Sequence, residues 1–339
     1  MRLLALVVAL ALSLPAAARE PAVQGVTLAH LHRGDYGYGS DACRRQLDEL
    51  AAMGVNWVAL IDFAYMEDVR RPGLRWGGRD EAIRRTIADA HERGIKVLLK
   101  PHIWSRQFGR GGEWHGTIAM TSEADWAAFF GSYGDFLVEH ATMAGEVGAD
   151  AFSLGVEMKA ASHRDAEWRE LARRVREVYG GPLTYSANSD EWEGIAWWDA
   201  VDCVGITAYF PLASDADVRP TESEIRRAWR GIFDRMRPFA ASVGRPICFT
   251  ELGFSASQRA AVAPWEHHEV EPDPALQAML YRVSLDEIDR SGLVAGVFLW
   301  KWFTADAAIA ARLEADDVFG LQDRPQTLAV LRDRWARGR

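Results

Sequence analysis

Eight short apolar runs alternate with amphipathic stretches along nearly the whole chain, and this alternation constrains the possible fold more than any other feature. The apolar runs are the strand candidates VQGVTLAHL (from 23), VNWVALIDFAY (from 55), KVLLKPHIW (from 96), ADAFSLGVEM (from 149), PLTYSANS (from 182), CVGITAYF (from 203), PICFTELGF (from 246) and LVAGVFLWKW (from 293). The stretches between them, such as RDEAIRRTIADAHERG, place apolar residues at helical spacing with charged residues opposite. The pattern predicts an α/β fold, a parallel (β/α)8 TIM barrel.

The connections at the two ends of the predicted strands differ in length. Short glycine turns lead from each helix into the next strand, whereas the connections that leave the strands are longer and aromatic, as in SRQFGRGGEWHG. In barrels of this kind the long loops at the carboxyl ends of the strands carry function, so this end is the predicted functional face. No low-complexity linker divides the chain, and we expect one catalytic barrel over residues 19–339.

Residues 1–18 have the pattern of a signal peptide. Arg2 precedes the apolar run LLALVVALALSL, and Pro15 and three alanines that end at Ala18 follow it. The run is too short for an ordinary membrane span, and the rest of the sequence has no second run of that length. We therefore expect cleavage near Ala18 and an exported protein, periplasmic or extracellular.

The charge and the cysteines exclude several classes of protein. A formal net charge of −9 argues against nucleic acid and other phosphate-rich partners and favours a neutral substrate. The three cysteines, Cys43, Cys203 and Cys248, leave at least one thiol unpaired, and the last two lie in strand candidates where we predict buried thiols. Stability must therefore come from an apolar core, which a chain with 49% hydrophobic residues can build.

Two glutamates, Glu157 and Glu251, end the fourth and the seventh strand candidates, which are otherwise apolar. A carboxylate at the mouth of a buried strand is costly to desolvate, so a matched pair requires a chemical reason. Side-chain alternation predicts that each glutamate faces the barrel axis with the residues of the same parity, Ser153 and Gly155 in one strand and Ile247 and Phe249 in the other. Paired carboxylates of this kind carry out most glycoside hydrolysis.

The strand ends resemble those of a known group of enzymes. The run TELGF closing the seventh strand, with a glutamate, a tyrosine and a tryptophan closing the fourth, sixth and eighth, resembles the clan A retaining glycoside hydrolases. Within the clan, KVLLKPHIW, YSANSDEW and VFLWKW are similar to glycoside hydrolase family 113, the β-1,4-mannanase family. The resemblance implies that Glu157 is the general acid/base and Glu251 the nucleophile.

One position departs from the clan pattern. Most members carry an asparagine that binds the sugar 2-hydroxyl immediately before the acid/base glutamate, and Val156 stands there in this chain. Replacement of that asparagine is itself similar to family 113, but valine has no donor and the 2-hydroxyl contact is unassigned. Retaining hydrolysis also requires the two carboxyl groups to lie about 5 to 5.5 Å apart. We expect burial and the charge of Glu251 to keep Glu157 protonated.

Further strand-end residues are candidates for substrate binding. Tyr209 is expected to donate its hydroxyl to Glu251, and Trp300 to lie under the sugar in the cleavage subsite, with Trp302 of the same parity extending the platform. The other candidates are His102 and Trp104, on one inward row with Lys100, then Asn188 after the fifth strand, and His30 and Asp62 at the ends of the first two strands. For each residue the alternative is a structural role, in which it packs at a sheet end or satisfies a buried hydrogen bond.

Tryptophans outside the strand pattern suggest an open aromatic cleft, and they include Trp76, Trp114, Trp192 and Trp265. The run from Trp265 contains Glu266, His267, His268 and Glu269, but it lacks the helical spacing of a metalloprotease motif, and we predict a surface loop with no metal. No cofactor is expected, because the sequence contains neither a Walker motif nor a dinucleotide fingerprint.

These observations predict a monomeric, exported, retaining β-glycoside hydrolase that acts on β-1,4-mannan or mannooligosaccharides without a cofactor, a nucleic acid partner or a membrane span. Two alternatives stay open. The chain could be a clan A hydrolase or transglycosylase of another β-linked glycan, such as a glucan, a galactan or an amino-sugar polymer. It could also be a barrel that binds sugar without cleaving it, although a carboxylate pair would then have no use.

Overall fold

A closed barrel of parallel strands lies at the centre of the molecule. The computed structural model describes residues 22–32, 34–77, 80–109, 111–266, 271–314 and 317–336, so the predicted signal peptide and His267 to Glu269 lie outside the described residues. The strands are β1 (Val23–Ala29), β2 (Trp57–Met66), β3 (Leu74–Arg75), β4 (Lys96–Ser105), β5 (Ala151–Val156), β6 (Leu183–Asn188), β7 (Cys203–Thr207), β8 (Ile247–Leu252) and β9 (Val294–Phe303).

The strand order closes the sheet on itself. It runs β1-β9-β8-β7-β6-β5-β4-β2-β3, and β1 also pairs with β2. All pairs around the ring are parallel, while the short β3 pairs antiparallel with β2 and stands outside the ring. Eight of the nine strands therefore form the barrel, and the predicted (β/α)8 TIM barrel is confirmed.

Helices cover the outside of the barrel. They are α1 (Asp41–Met53), α2 (Asp80–His91), α3 (Glu123–Val147), α4 (Asp165–Arg176), α5 (Glu222–Val243), α6 (Pro274–Ser291), α7 (Ala307–Leu313) and α8 (Pro325–Ala336). Local sequence sets their ends, as α1 illustrates. The Ser40 side chain accepts a hydrogen bond from the Cys43 amide at its start, and Gly54 closes it with a φ of 95°, which an L side chain would resist. None of the helices formed by the described residues is long and apolar enough to cross a membrane.

Two apolar layers surround the strands. A small cluster that contains Ala59, Leu98, Cys248 and Phe298 fills the inside of the barrel, and a much larger one lies between strands and helices. Cys248 and Cys43 are buried, Cys203 is half-buried, and all three are free thiols. The inside of the barrel is thus a packed core, and side chains that line its carboxyl end form the floor of a surface site.

Candidate active site

Bulges in two strands change the side-chain alternation at the carboxyl end of the barrel. Between β7 and β8, Ile206 pairs with Phe249, but the next residue of β7, Thr207, pairs with Glu251. The β8 strand therefore contains one extra residue at this point. The predicted inward parity of Ile247 and Phe249 is wrong, because both belong to the layer under the helices and Phe249 stacks on Trp229 with ring centroids 5.9 Å apart. The bulge, and not simple alternation, turns Glu251 towards the axis.

A second bulge precedes Glu157. Ser153 pairs with Thr184 and Val156 with Ser186, which leaves an extra residue in β5. The predicted inward position of Gly155 is wrong, since a Cβ there would lie 2.9 Å from the Tyr133 hydroxyl in the helix layer. Glu157 itself adopts a φ of 54°, the left-handed region that side chains other than glycine seldom occupy. This local conformation directs the carboxyl group into the site.

Glu251 is surrounded by donors. It is 5% exposed, its Oε1 forms an ion pair with the Lys100 ammonium, and its Oε2 accepts a hydrogen bond from the Tyr209 hydroxyl at 2.9 Å. Burial and the nearby charge of Glu251 raise the pKa of Tyr209 well above its ordinary value, so the phenol keeps its proton and donates. Both oxygens of the Glu251 carboxyl group therefore have a donor, and one of the two donors carries a positive charge.

Glu157 has a different environment. Its Oε1 accepts a hydrogen bond from the Thr207 hydroxyl at 2.5 Å, and no cation pairs with it among the described residues. Burial of the carboxyl group and, next, the charge of Glu251 raise the pKa of Glu157 to about 8. Thr207 and Lys100 act in the opposite direction but do not cancel the shift. Glu157 is therefore protonated at neutral pH while Glu251 holds a counter-ion.

A hydrogen-bonded chain fixes the backbone that follows Glu157. The Met158 amide donates to the Tyr185 hydroxyl at 2.9 Å, and that hydroxyl donates to Glu191 at 2.8 Å. Glu191 also accepts from the Asn188 amide at 2.9 Å. Asn188, a predicted hydroxyl-binding residue, is half-buried at the end of β6, where its side-chain oxygen accepts from the Asp190 amide at 3.3 Å.

Three other predicted residues lie near the mouth of the barrel. Trp300 is half-buried, and its ring centroid lies 5.7 Å from the Lys100 nitrogen. His102 is 5% exposed, and its Nε2 has no hydrogen-bond partner among the described residues. Burial and the charge of Lys100 hold the pKa of His102 well below its ordinary value, so the ring is neutral. Trp104 is 45% exposed and therefore offers an aromatic surface at the rim, and its ring contacts that of Phe63 edge-on.

His30 lies at the end of β1. It is half-buried, its Nδ1 accepts a hydrogen bond from the Tyr38 amide at 2.9 Å, and its ring contacts that of His32 with centroids 4.7 Å apart. The ring is therefore oriented by the loop that follows the strand. Of the loop tryptophans, Trp192 is buried and Trp76 donates to Glu139 on α3, whereas Trp265 is 50% exposed.

Two predicted substrate contacts do not fit the structure. Trp302 is 1% exposed, and its indole nitrogen donates to the Gln46 side-chain oxygen on α1 at 2.8 Å. The β1–β9 pairing shifts register between Val26 and Leu28, so the Trp302 side chain points to the opposite face from the one that alternation predicts. Asp62 is 1% exposed and contacts His140 Nε2 on α3 at 2.9 Å. Both side chains face the helix layer, so neither can contact a substrate at the axis.

The packing of Trp302 gives a testable contrast with Trp300. Trp302→Phe should lower the free energy of unfolding by about 1–3 kcal/mol, because it leaves the buried Gln46 oxygen without this donor. KM should stay unchanged in that variant, whereas Trp300→Ala should change KM and barely change stability. Chemical denaturation and steady-state kinetics of the two variants measure both effects. A raised KM in Trp302→Phe would instead support the predicted role of Trp302 in sugar binding.

Asp62 also belongs to the one group of metal-ligating side chains found among the described residues. Asp62, Asp80 and His140 bring ligand atoms within 4.8 Å of one another. The group lies on the helix side of β2 and could hold a divalent cation there, away from the carboxyl pair. It contributes nothing to the chemistry at the axis.

Sequence reasoning missed two polar residues of the site, Lys100 and Thr207. Lys100 was placed on the inward row but given no role, although a lysine inside an apolar strand is costly to bury without a partner and could have been singled out for that reason. Thr207 precedes Tyr209 by two residues and gave no signal. Its contact with Glu157 depends on the fold alone.

Comparisons with known proteins identify the family. The sequence model of Glycoside Hydrolase Family 113 matches residues 28–323, which is most of the chain. The chain belongs to this family. The family prediction is thereby confirmed, and the protein is a glycoside hydrolase of mannanase-like fold.

Solved structures agree with this assignment. The family 113 β-mannanase AaManA from Alicyclobacillus acidocaldarius, in complex with ManMIm, is similar with a TM-score of 0.81 and 28% identity over 94% of this chain and 98% of that chain. A second family 113 β-1,4-mannanase has a TM-score of 0.81 at 22% identity, covering 93% and 99%. The endo-β-1,4-mannanase from Thermotoga petrophila shares the fold at 16% identity and a TM-score of 0.63, covering 94% and 77%. The comparison with curated proteins returns no match.

Proposed function

We propose that this family 113 member is a retaining β-glycoside hydrolase that cleaves β-1,4-mannan or mannooligosaccharides by double displacement. The observation that carries the proposal is the unequal environment of its two carboxyl groups. Glu251 pairs with Lys100 and accepts from Tyr209, which suits an ionised nucleophile. Glu157 has a raised pKa and no counter-ion of its own among the described residues, which suits a general acid.

In the first half of the reaction, an oxygen of Glu251 attacks the anomeric carbon while the bond to the leaving sugar breaks. Glu157 gives its proton to the departing glycosidic oxygen and becomes ionised. A covalent glycosyl ester on Glu251 results. Tyr209 stabilises the carboxylate before attack and orients its oxygens.

In the second half, Glu157 acts as a base. It takes a proton from water, the water oxygen bonds to the anomeric carbon, and the bond to Glu251 breaks. Two inversions return the original configuration. A sugar hydroxyl in place of water would give transfer, which is the competing outcome.

The relatives and the aromatic surfaces support the proposed substrate. The similar family 113 structures are described as β-mannanases, which supports a β-mannoside. Trp300 beside the carboxyl pair and Trp104 at the rim offer flat apolar faces to pyranose rings. His102 Nε2 has no partner in the described part of the chain and could contact a sugar hydroxyl, so His102 is a candidate for the contact that Val156 cannot make. Residues 1–18 support export, and we assign 19–339 to the catalytic barrel.

The test is a comparison of mannohexaose with cellohexaose. Product analysis should show cleavage of the mannan oligomer at a rate at least tenfold higher, and proton NMR should show the β-anomer as the first product. A first-formed α-anomer would exclude the retaining mechanism. Equal or preferred cleavage of cellohexaose would exclude the mannan assignment and leave the hydrolase.

The raised pKa of Glu157 predicts the alkaline side of the pH profile. The acid must carry its proton for the first step, so kcat/KM should fall tenfold per pH unit as the pH rises above about 8. With an activated aryl mannoside, whose leaving group needs no proton, the first step should not depend on the acid. The alkaline fall in kcat/KM should therefore be absent for this substrate. The pH dependence of kcat/KM on both substrates measures it, and an alkaline limb that is identical for the two would contradict the assignment.

A further inference from the structure

Lys100 has an unusual position inside the barrel. Its side chain on β4 is 0% exposed, and its ammonium forms an ion pair with Glu251. The same nitrogen lies 3.5 Å from the Thr250 carbonyl oxygen and 5.7 Å from the Trp300 ring centroid. One buried cation thus contacts the proposed nucleophile, its strand and the aromatic floor of the site.

Stability alone does not explain a lysine at this position. Removing an ammonium from water costs several kcal/mol, and a buried ion pair often contributes no more stability than apolar side chains of similar volume. A methionine among the surrounding strands could fill the space without that cost. The charge of Lys100 therefore requires an explanation in chemistry.

We propose that Lys100 is a positioning residue that balances the charge of whichever carboxyl group is ionised in each half of the reaction. This inference rests on the double-displacement mechanism proposed above. In the free enzyme the ammonium holds Glu251 as the ionised nucleophile. In the glycosyl-enzyme it faces a neutral ester, and its field favours the ionised form of Glu157.

The bond changes keep the net charge of the site constant. When the bond from Glu251 to the anomeric carbon forms, Glu251 loses its negative charge, and Glu157 gains one by giving its proton to the leaving oxygen. When water enters, Glu157 recovers a proton and the release of Glu251 restores its charge. One ammonium therefore meets one carboxylate before and after each step, and the net charge of Lys100, Glu251 and Glu157 taken together does not change.

The other groups that face Glu251 and Glu157 do not supply this charge. Tyr209 stays a neutral phenol, and burial lowers the pKa of His102 well below its ordinary value and that of His115 to about 4. Glu191 adds negative charge behind Glu157. Among the described residues around the carboxyl pair, Lys100 is the cation in direct contact.

The test compares Lys100→Met and Lys100→Gln with wild type. Glutamine still offers a hydrogen bond to Glu251, so it separates the effect of charge from that of hydrogen bonding. Both variants should lower kcat/KM by roughly 100-fold to 1,000-fold, the loss typical of a missing electrostatic group in an active site. The alkaline limb of the profile, which reports the proton of Glu157, should move to higher pH in both, because the charge of Lys100 lowers the pKa of Glu157. Lys100→Arg keeps the positive charge, so it should recover part of the lost kcat/KM. Its alkaline limb should lie at the same pH as in wild type.

Lys96→Met is the matched control. Lys96 lies on the same strand with the same parity, and its nitrogen is 5.6 Å from the ring centroid of Trp57 at the other end of the barrel. This variant removes one lysine charge and keeps the site intact. Its kcat/KM should stay within twofold of wild type.

A second readout does not depend on turnover. The carboxyl carbon of Glu157, followed by carbon NMR and assigned with Glu157→Gln, should titrate at higher pH in Lys100→Gln than in wild type, because the lowering effect of Lys100 on its pKa is lost. An unchanged titration of Glu157, or an unchanged alkaline limb in a folded Lys100→Gln variant, would overturn the inference about Lys100. A wild-type protein that cleaves no β-glycoside would instead overturn the proposed function, while the titration still decides the role of the lysine.

Discussion

Replacement of Glu251 by alanine is expected to lower kcat on a mannooligosaccharide by roughly 10⁴-fold to 10⁶-fold, because no carboxylate is left to form the covalent intermediate. The substitution also leaves Lys100 and Tyr209 without their shared acceptor, but it opens a small space beside the anomeric carbon. Sodium azide can enter that space. It should restore part of the activity on an activated aryl β-mannoside and give the α-mannosyl azide, since one displacement has replaced two.

The control for this variant is Glu193→Ala. Glu193 is an exposed glutamate that pairs with Arg235 on the surface, so its removal should leave kcat unchanged. Steady-state kinetics and NMR of the azide product complete the measurement. Full activity of Glu251→Ala, or a β-configured azide product, would remove Glu251 as the nucleophile.

Replacement of Glu157 by alanine should give a loss that depends on the leaving group. With a sugar leaving group the rate should fall by roughly 10²-fold to 10⁴-fold, because the departing oxygen is no longer protonated. With a dinitrophenyl leaving group the first step should be nearly unchanged, while the second step slows for lack of a base. The glycosyl-enzyme should then accumulate and produce a burst of the phenol.

Azide again tests the role. In Glu157→Ala it needs no base, so it should speed the second step and give the β-mannosyl azide, the configuration opposite to that from Glu251→Ala. Stopped-flow absorbance and NMR of the product measure burst and configuration. Equal losses on the two substrates would show that Glu157 contributes to folding or binding and not to proton transfer.

The barrel was predictable because its information is local. Each strand candidate carries its own apolar run, and helix caps such as Ser40 and Gly54 act within a few residues. Glu157 and Glu251 could be singled out for the same reason, since a charged residue at the end of an apolar strand is visible in the sequence. The strand order that brings them to one face follows from the barrel itself.

Side-chain direction was less predictable. Alternation assigns parity only while a strand stays regular, and the bulges in β5 and β8 each shift it by one residue. Hence alternation assigns Gly155 and Phe249 to the wrong face, and the register shift between β1 and β9 has the same effect on Trp302. Glu251 was assigned to the right face by an argument that the bulge invalidates.

The partners of buried polar groups could not be predicted either. Asp62 contacts His140, 78 positions further along the chain, and Lys100 contacts Glu251, 151 positions further. Nothing in the sequence near either residue indicates its partner. A buried charge signals that a partner exists, and only the fold identifies it.

The backbone at Glu157 has a consequence for efforts to make this enzyme withstand heat. A φ of 54° is unfavourable for any residue with a Cβ, by roughly 1–2 kcal/mol. A glycine or an asparagine at this site would relax the chain and also remove a poorly hydrated acid. Laboratory evolution that screens for thermal tolerance alone would therefore tend to discard this glutamate early, and each round needs a parallel screen for turnover.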